Sequence, residues 1–440
     1  MCIFQKPFNP MENKRNMRRI IAEDQNWSLA LVPSLSVICL QCIANTFEEK
    51  QVFEKLAPDQ QDLIQERLSP SLPLHVTANL VPEGLYWRRC CEQRWNVCDI
   101  SHYGHSWKRM FLERHLENAI ELFIPDVTKP KTILDLLPLC KNDVRRLNIS
   151  QLLLPVKKPQ KGKRAEAFES AFVIFSEEDK ASMEHFDFGP VLEKLINLEE
   201  LHLVYTIKQC GMNFEWSMFE ITDRDCRSLA MAVKSCKTLK LLRLRQSQVE
   251  DEKCQVLVRY LLDHPSLRHL DLSHNVIGDG GAKAFGELLA RSKLETLDLC
   301  NNKISNPGAK AIACALSNNV TLSSLNLRLN QVGDGGGQAI AEALENNTTL
   351  SHLHLGGNDV SWMTAVALSK VLLKNKTLKS LNLSCNNLGE IGGKALAEAM
   401  SQNSTLTECD IRQTDVDEQS AASINAAVWA NQSAEWDEQV

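Results

Sequence analysis

Long apolar runs are scarce in this 440-residue chain. The longest, WSLALVPSLSVICLQCIANTF over residues 27–47, is interrupted by Pro33, Ser34, Ser36 and Gln41. It reads as one or two buried helices and not as a bilayer span, which needs about 20 predominantly apolar residues. The opening stretch, MCIFQKPFNPMENKRNMRR, lacks the apolar core of a secretory signal. A surplus of cations is missing too: 49 Lys and Arg stand against 55 Asp and Glu, for a net charge of -6. That balance argues against nucleic acid as a partner. No G-x-S-x-G, H-E-x-x-H, kinase set or P-loop occurs, so no catalysis and no cofactor are expected. Cysteine is not scarce, but fifteen is an odd count in a chain with no sign of secretion. Those thiols read as reduced, packing as small apolar groups.

What the chain does have is a period. The pattern L-x-x-L-x-L recurs as LEELHL from Leu198, LKLLRL from Leu239, LRHLDL from Leu267, LETLDL from Leu294, LSSLNL from Leu322, LSHLHL from Leu350 and LKSLNL from Leu378, with LTECDI closing the series from Leu406. From Leu239 onward the steps are 28, 27, 28, 28, 28 and 28 residues. This is the leucine-rich repeat, one strand and one helix per unit, stacked into an α/β solenoid. Its leucines point into the wedge between strand and helix, where each is worth roughly 1.5–3 kcal/mol. Three residues past each strand core stands an asparagine, Asn275, Asn302, Asn330, Asn358 or Asn386. Its amide can satisfy backbone groups at the bend, forming a ladder between units.

The glycine cluster in LNQVGDGGGQAIAEAL imitates a phosphate loop, but Gln338 stands where a dinucleotide fingerprint needs its third glycine. Related corners at Gly281, Gly308 and Gly392, with Thr364 as the exception, assign the cluster to turning the chain. A second imitation, CCEQRWNVCDISHYGH with Cys90, Cys91, Cys98, His102 and His105, lacks the usual C-x(2–4)-C pair of a zinc site.

The organisation expected is a flexible leader over 1–14, a helical N-terminal capping domain over 15–143, and a degenerate repeat region over 144–197 with a charged insertion at about 156–187. Eight repeats follow over 198–416, interrupted at about 204–222, and a capping helix with an acidic tail fills 417–440. VRRLNI, from Val144, imitates a repeat strand and leaves open an earlier start of the solenoid.

Eight strands about 4.8 Å apart make a concave wall of roughly 35 Å, broad enough for a protein partner. Arg243, Arg245, Arg268, Arg328, His354 and Arg412 lie on or near that wall and are candidate binding residues, arginine being enriched at interfaces. Trp362 replaces the usual corner residue and Trp216 sits in an aromatic insertion; both are candidate anchors. The cations Lys157, Lys158, Lys161, Lys163 and Arg164 could meet an acidic surface such as a tubulin tail.

The 28-residue form with GDGGAKA corners resembles the ribonuclease-inhibitor type of leucine-rich repeat. MRRIIAEDQNWSLALVP (17–33), LPLHVTANL (72–80), SWKRMFLERHLEN (106–118) and CGMNFEW (210–216) resemble a leucine-rich-repeat family of dynein regulatory complex subunits, over roughly residues 15–430. The resemblance implies a non-enzymatic scaffold in the nexin link, joining doublet microtubules and regulating dynein-driven sliding in motile cilia and sperm flagella. It implies an axonemal place in the cytoskeleton and, as partners, other subunits of the complex, a second leucine-rich-repeat subunit among them. The tubulin or doublet surface is a further candidate partner; a membrane is not. The residues alone leave two other classes open: an F-box-like substrate receptor or generic adaptor, and a GTPase activator using an arginine.

Overall fold

The computed structural model describes residues 33–49, 52–155, 185–208, 210 and 216–437. The chain divides into two compact units, with the boundary between Phe111 and Leu112.

The first unit is helical. Helices α1 (Leu35–Asn45), α2 (Pro58–Gln65), α3 (Leu74–Leu80) and α4 (Leu85–Arg94) enclose a core of Phe47, Phe53, Ile64, Leu68, Tyr86 and Trp87. Phe111, in α5 (Trp107–Glu121), packs against it. Trp87 meets its one polar obligation by donating Nε1–H to the Val81 carbonyl at 3.2 Å. Arg89 donates to the carbonyls of Gln65, Glu66 and Leu68 at 3.1, 2.6 and 3.0 Å, placing a cation at the C-terminal end of α2 where the helix dipole favours one. Glu83 accepts from the Trp107 and Lys108 amides at 2.7 and 3.0 Å, capping the start of α5.

The second unit begins with two single-turn helices, α6 (Lys131–Leu134) and α7 (Leu137–Cys140), then strand β1 (Arg146–Ile149) and α8 (Gly189–Lys194). Strands and helices then alternate as β2 (Glu200–Val204), α9 (Asp223–Ser235), β3 (Leu241–Arg245), α10 (Asp251–Leu261), β4 (His269–Asp271) and α11 (Asp279–Arg291). They continue as β5 (Thr296–Asp298), α12 (Asn306–Leu316), β6 (Ser324–Asn326), α13 (Gly333–Leu344), β7 (His352–His354) and α14 (Trp362–Leu372). The series ends with β8 (Ser380–Asn382), α15 (Gly389–Met400), β9 (Glu408–Asp410) and α16 (Glu418–Asp437). The strands form one parallel sheet in chain order, β1 to β9. VRRLNI is therefore a strand of the same sheet: Leu147 pairs with Leu201, which pairs with Leu242.

The repeat makes the curvature. Strands sit about 4.8 Å apart, whereas packed helices need 8–10 Å between axes. Stacking both in one unit bends the sheet inward, giving an unclosed, curved solenoid with the strands on the inner side. The leucine rows fill the wedge: Leu242, Leu270, Leu297, Leu325, Leu353 and Leu381 are all buried.

Two amide ladders and a carboxylate series hold the corners. On leaving the strand, Asn302 accepts from the Ile277 amide of the preceding repeat at 3.1 Å and donates to the Leu272 and Leu299 carbonyls at 3.1 and 2.9 Å. Asn275, Asn330, Asn358 and Asn386 repeat this with their own neighbours. The residue before each is left-handed, including the branched Leu329 at φ 56°, so hydrogen bonding imposes a conformation that a bulky side chain disfavours. On entering the strand a second ladder runs through Asn319, Asn347, Asn375 and Asn403. Asn347 donates to the Leu316 and Asn319 carbonyls at 2.9 and 3.0 Å and accepts from the Thr349 and Leu350 amides at 3.0 and 2.8 Å. At the helix starts, Asp251, Asp279 and Asp334 reach forward to the next corner, as Asp279 does to the Ser305 and Gly308 amides at 2.8 and 2.9 Å.

The glycine cluster belongs to that corner. A Cβ on Gly336 would lie 2.7 Å from Ala309 Cβ, so close packing of α13 on its neighbour requires the glycine.

Candidate protein-binding surface

Between the leucines, every second strand residue points from the sheet to its inner face. The central row there reads Asn148, His202, Arg243, Asp271, Asp298, Asn326, His354, Asn382 and Asp410, one from each strand. An apolar concavity of about 420 Å³ lies away from this row, lined by Phe123, Ile133, Phe186 and Val191 among others; the one on this face is of about 370 Å³ and charged, lined by Arg243, Arg245, His269, Asp271, Asp298 and His354 among others.

The row is electrostatically uneven. Arg245 donates Nε–H to Asp271 Oδ2 at 2.8 Å, and Arg243 Nε lies 3.4 Å from the same oxygen. Burial works against the Asp271 charge, but the hydrogen bonds from Arg245 and Ser273 outweigh it and hold its pKa below the usual range. One strand on, Asp298 feels the Arg245 charge, but among the described residues no cation hydrogen-bonds it. Burial, reinforced by the Asp271 charge, raises its pKa against the Cys300 amide and the Asn326 side chain. His202 is pushed down to about 3, by burial first and then by the charges of Arg243, Arg146 and Arg245. Burial also lowers His354.

Of the arginines singled out in the sequence, Arg243 and Arg245 share β3 and one aspartate. Arg268 lies 3.3 Å from Glu295. Arg328 is exposed, its amide donating to Asn326 Oδ1 at 3.0 Å. Arg412 is also exposed and forks onto Asp410 through Nε and Nη2 at 2.8 and 2.7 Å. Arg245, Arg328 and Arg412 occupy equivalent places three repeats apart. Trp362 does not join them: it starts α14 at the opposite side of the corner, half exposed beside Met363. Trp216 heads a short 3-10 turn, Trp216–Phe219. Lys157, Lys158, Lys161, Lys163 and Arg164 lie outside the described residues. In the cysteine-histidine stretch, Cys90 and Cys91 are buried in α4, and among the described residues no three metal-ligating side chains converge.

Sequence reasoning missed three features. The strand-entry ladder was available as Asn319, Asn347, Asn375 and Asn403 at a constant 28-residue spacing. Glu113, Glu117 and Glu121, spaced four apart on α5, accept from the amides of Arg145, Asn148 and Ser150 at 2.8, 2.7 and 2.7 Å. They close the free edge of β1. The third feature, a group of buried nitrogens on β1 to β3, had no signal in sequence.

Five segments, residues 263–286, 292–313, 318–341, 346–361 and 374–397, match the model of the family described as Leucine Rich repeat. One parallel strand per unit, stacked in chain order, agrees with that match: the fold is a leucine-rich-repeat solenoid. Among its curated relatives is Dynein regulatory complex subunit 5 of Macaca fascicularis, 50% identical over 316 residues, covering 72% of this chain and 63% of that protein. The protein of the same name from Homo sapiens is 50% identical over 280 residues, 64% of this chain and 56% of its own length. The one from Chlamydomonas reinhardtii is 31% identical over 227 residues, 51% and 50% of the two chains. The matches thus span between half and two-thirds of these relatives.

Proposed function

We propose that this chain is a non-enzymatic scaffold subunit of the nexin-dynein regulatory complex, holding doublet microtubules in register and regulating dynein-driven sliding in motile cilia and flagella. The observation that carries this reading is the 50% identity to proteins named as a subunit of that complex. The physical design suits the task. Neighbouring repeats are tied by strand pairing and leucine packing, and the central ones also by asparagine contacts at both ends of the strand, so load passes along a continuous stack. The partners are other subunits of the complex, a second leucine-rich-repeat subunit among them, with the tubulin or doublet surface as a further one. Arg243, Arg245, Arg268, Arg328, His354 and Arg412 supply the polar contacts, and Trp216, Trp362 and the cations at 157–164 supply accessory ones.

Fractionation of motile cilia or sperm tails tests this. The chain is expected to stay with the axoneme after detergent strips the membrane, and to leave with other linker subunits on raising salt. Release with the soluble fraction would sink the reading. An adaptor resembling an F-box receptor is the second reading, favoured by the exposed Leu35, Val37 and Ile38 on α1; co-purification with a Skp-type adaptor would mark it.

A further inference from the structure

Among the described residues, three buried side-chain nitrogens lie on neighbouring strands without a hydrogen-bond partner: Arg146 Nε on β1, His202 Nε2 on β2 and Arg243 Nε on β3. The strand register sets Arg146 beside Glu200, and His202 beside Arg243. The His202 side chain is only 10% exposed. Buried donors of this kind are normally satisfied, and a native exception asks for an explanation.

Internal counter-charge does not supply it. Glu200 Oε2 lies 3.7 Å from Arg146 Nε and 3.4 Å from His202 Nε2, near enough to attract both and too poorly aimed to bond either. Asp271 Oδ2 is 3.4 Å from Arg243 Nε, but it accepts its hydrogen bond from Arg245, while Oδ1 accepts from Ser273. Over the three strand segments the cations are Arg145, Arg146, Lys240, Arg243 and Arg245 and the carboxylates Glu199 and Glu200; Asp271 of β4 is engaged by Arg245, Arg268 faces Glu295, and Glu113, Glu117 and Glu121 of α5 are turned onto the amides at β1. The positive excess is local, because the chain as a whole carries -6. The low His202 pKa is set first by burial and then by the charges of Arg243, Arg146 and Arg245, so only its second part reflects this field.

We propose that the inner face over β1–β3 is a docking site for a glutamate-rich acidic segment of a protein partner, with Arg146, His202 and Arg243 as its principal donors. The inference rests on the reading of this face as a partner-binding surface and names the chemistry of that partner. Carboxylates match guanidinium donors in charge and in planar geometry. The patch is bounded at β5 by Glu295 and Asp298, which repel a long polyanion such as nucleic acid yet leave room for a short acidic segment over the first strands.

The test is fluorescence anisotropy on the full chain with a labelled oligoglutamate peptide and an oligoglutamine control. Oligoglutamate is expected to bind, oligoglutamine not, and affinity to fall with salt as screening shortens. Arg146→Gln combined with Arg243→Gln should weaken binding at least about tenfold, as expected for desolvated charge pairs. Glu200→Gln should tighten it, a gain that misfolding cannot produce. Lys394→Gln, exposed on helix α15 and away from the sheet, should change nothing. Equal binding of the two peptides, no binding at low salt, or a loss in Lys394→Gln matching that of the double variant would each overturn the assignment. Absence of peptide binding in a chain that remains with the axoneme overturns this inference alone. Peptide binding with the expected variant pattern, in a chain released with soluble proteins, supports this inference and overturns the linker reading.

Discussion

A Cβ built on Gly337 would lie 2.5 Å from Thr364 Oγ1 and 2.6 Å from Thr364 Cγ2. That contact accounts for the odd corner after β7. Thr364 occupies a place held by Gly281, Gly308, Gly336 and Gly392 in the other repeats, and it is fully buried with its hydroxyl donating to Asp334 Oδ1 at 2.7 Å. The extra side chain fits because the facing residue gives up its own, where the equivalent positions in the two preceding repeats are Ala282 and Ala309. Gly337→Ala should therefore destabilise the chain by about 1–3 kcal/mol, the usual cost of overpacking. Adding Thr364→Gly should recover much of that loss, and a double-mutant cycle from urea melts would read the coupling; additive losses would refute the pairing. Asn347 tests the strand-entry ladder in the same way. It is buried and makes four backbone hydrogen bonds, so Asn347→Ala should cost about 1–3 kcal/mol for each group left unsatisfied. A loss below that range in the same melts would mean the corner closes without it.

Helix α5 shows an element built to finish another. A strand advances about 6.6 Å per two residues and a helix about 6.0 Å per four, so carboxylates at a four-residue spacing fall opposite alternate amides of an edge strand. Glu113, Glu117 and Glu121 meet the amides of Arg146, Asn148 and Ser150 by that match. The arrangement crowds like charges. Burial first, then the Glu113 and Glu121 charges, raise the Glu117 carboxyl from 4.5 to about 7 against the pull of the Asn148 amide. The folded chain thus keeps a proton that the unfolded chain has released, so this contribution to stability is full below pH 4.5 and is lost as pH rises through 7. His202 acts in the opposite sense: with a folded value of about 3 against 6.5, its contribution is full above 6.5 and is lost as pH falls toward 3. Glu117→Gln keeps an acceptor for Asn148 without the charge. It should be more stable than the parent at neutral and higher pH, and the difference should shrink toward pH 4.5 in parallel denaturant melts. A constant difference across that range would dismiss Glu117 as the titrating group. The leucine and asparagine rows were legible in the sequence because each repeat states them again at one interval. The α5 carboxylates were not, since glutamates four apart also describe any solvated helix face. Arg146, His202 and Arg243 were further from reach, because two insertions separate them and only strand register brings them together.

Along the regular repeats of the second unit the same kinds of contact recur from one repeat to the next, so a complete repeat is the natural unit of change. Excising residues 294–321 removes β5 and α12 and joins Lys293 to Leu322, the start of the following L-x-x-L-x-L. The ladders then close on equivalent groups: Asn330 meets the Ile277 amide that Asn302 had held, and Asn347 meets the Leu289 carbonyl that Asn319 had held. Stability in a stack of this kind is a sum of repeat and interface terms. The shortened chain should fold with one cooperative transition and a lower midpoint, having lost one repeat and one interface. Excising half as much, 294–307, removes β5, places a helix where a strand belongs and should leave the second unit unfolded by circular dichroism. Strands β1–β4 are untouched by the full excision, so oligoglutamate affinity should survive it with little change. A shortened chain that folds yet no longer binds the peptide would move the acidic site toward β5, whereas a shortened chain that fails to fold would mean that the repeats are not interchangeable and that particular pairs, such as Gly337 with Thr364, govern the stack.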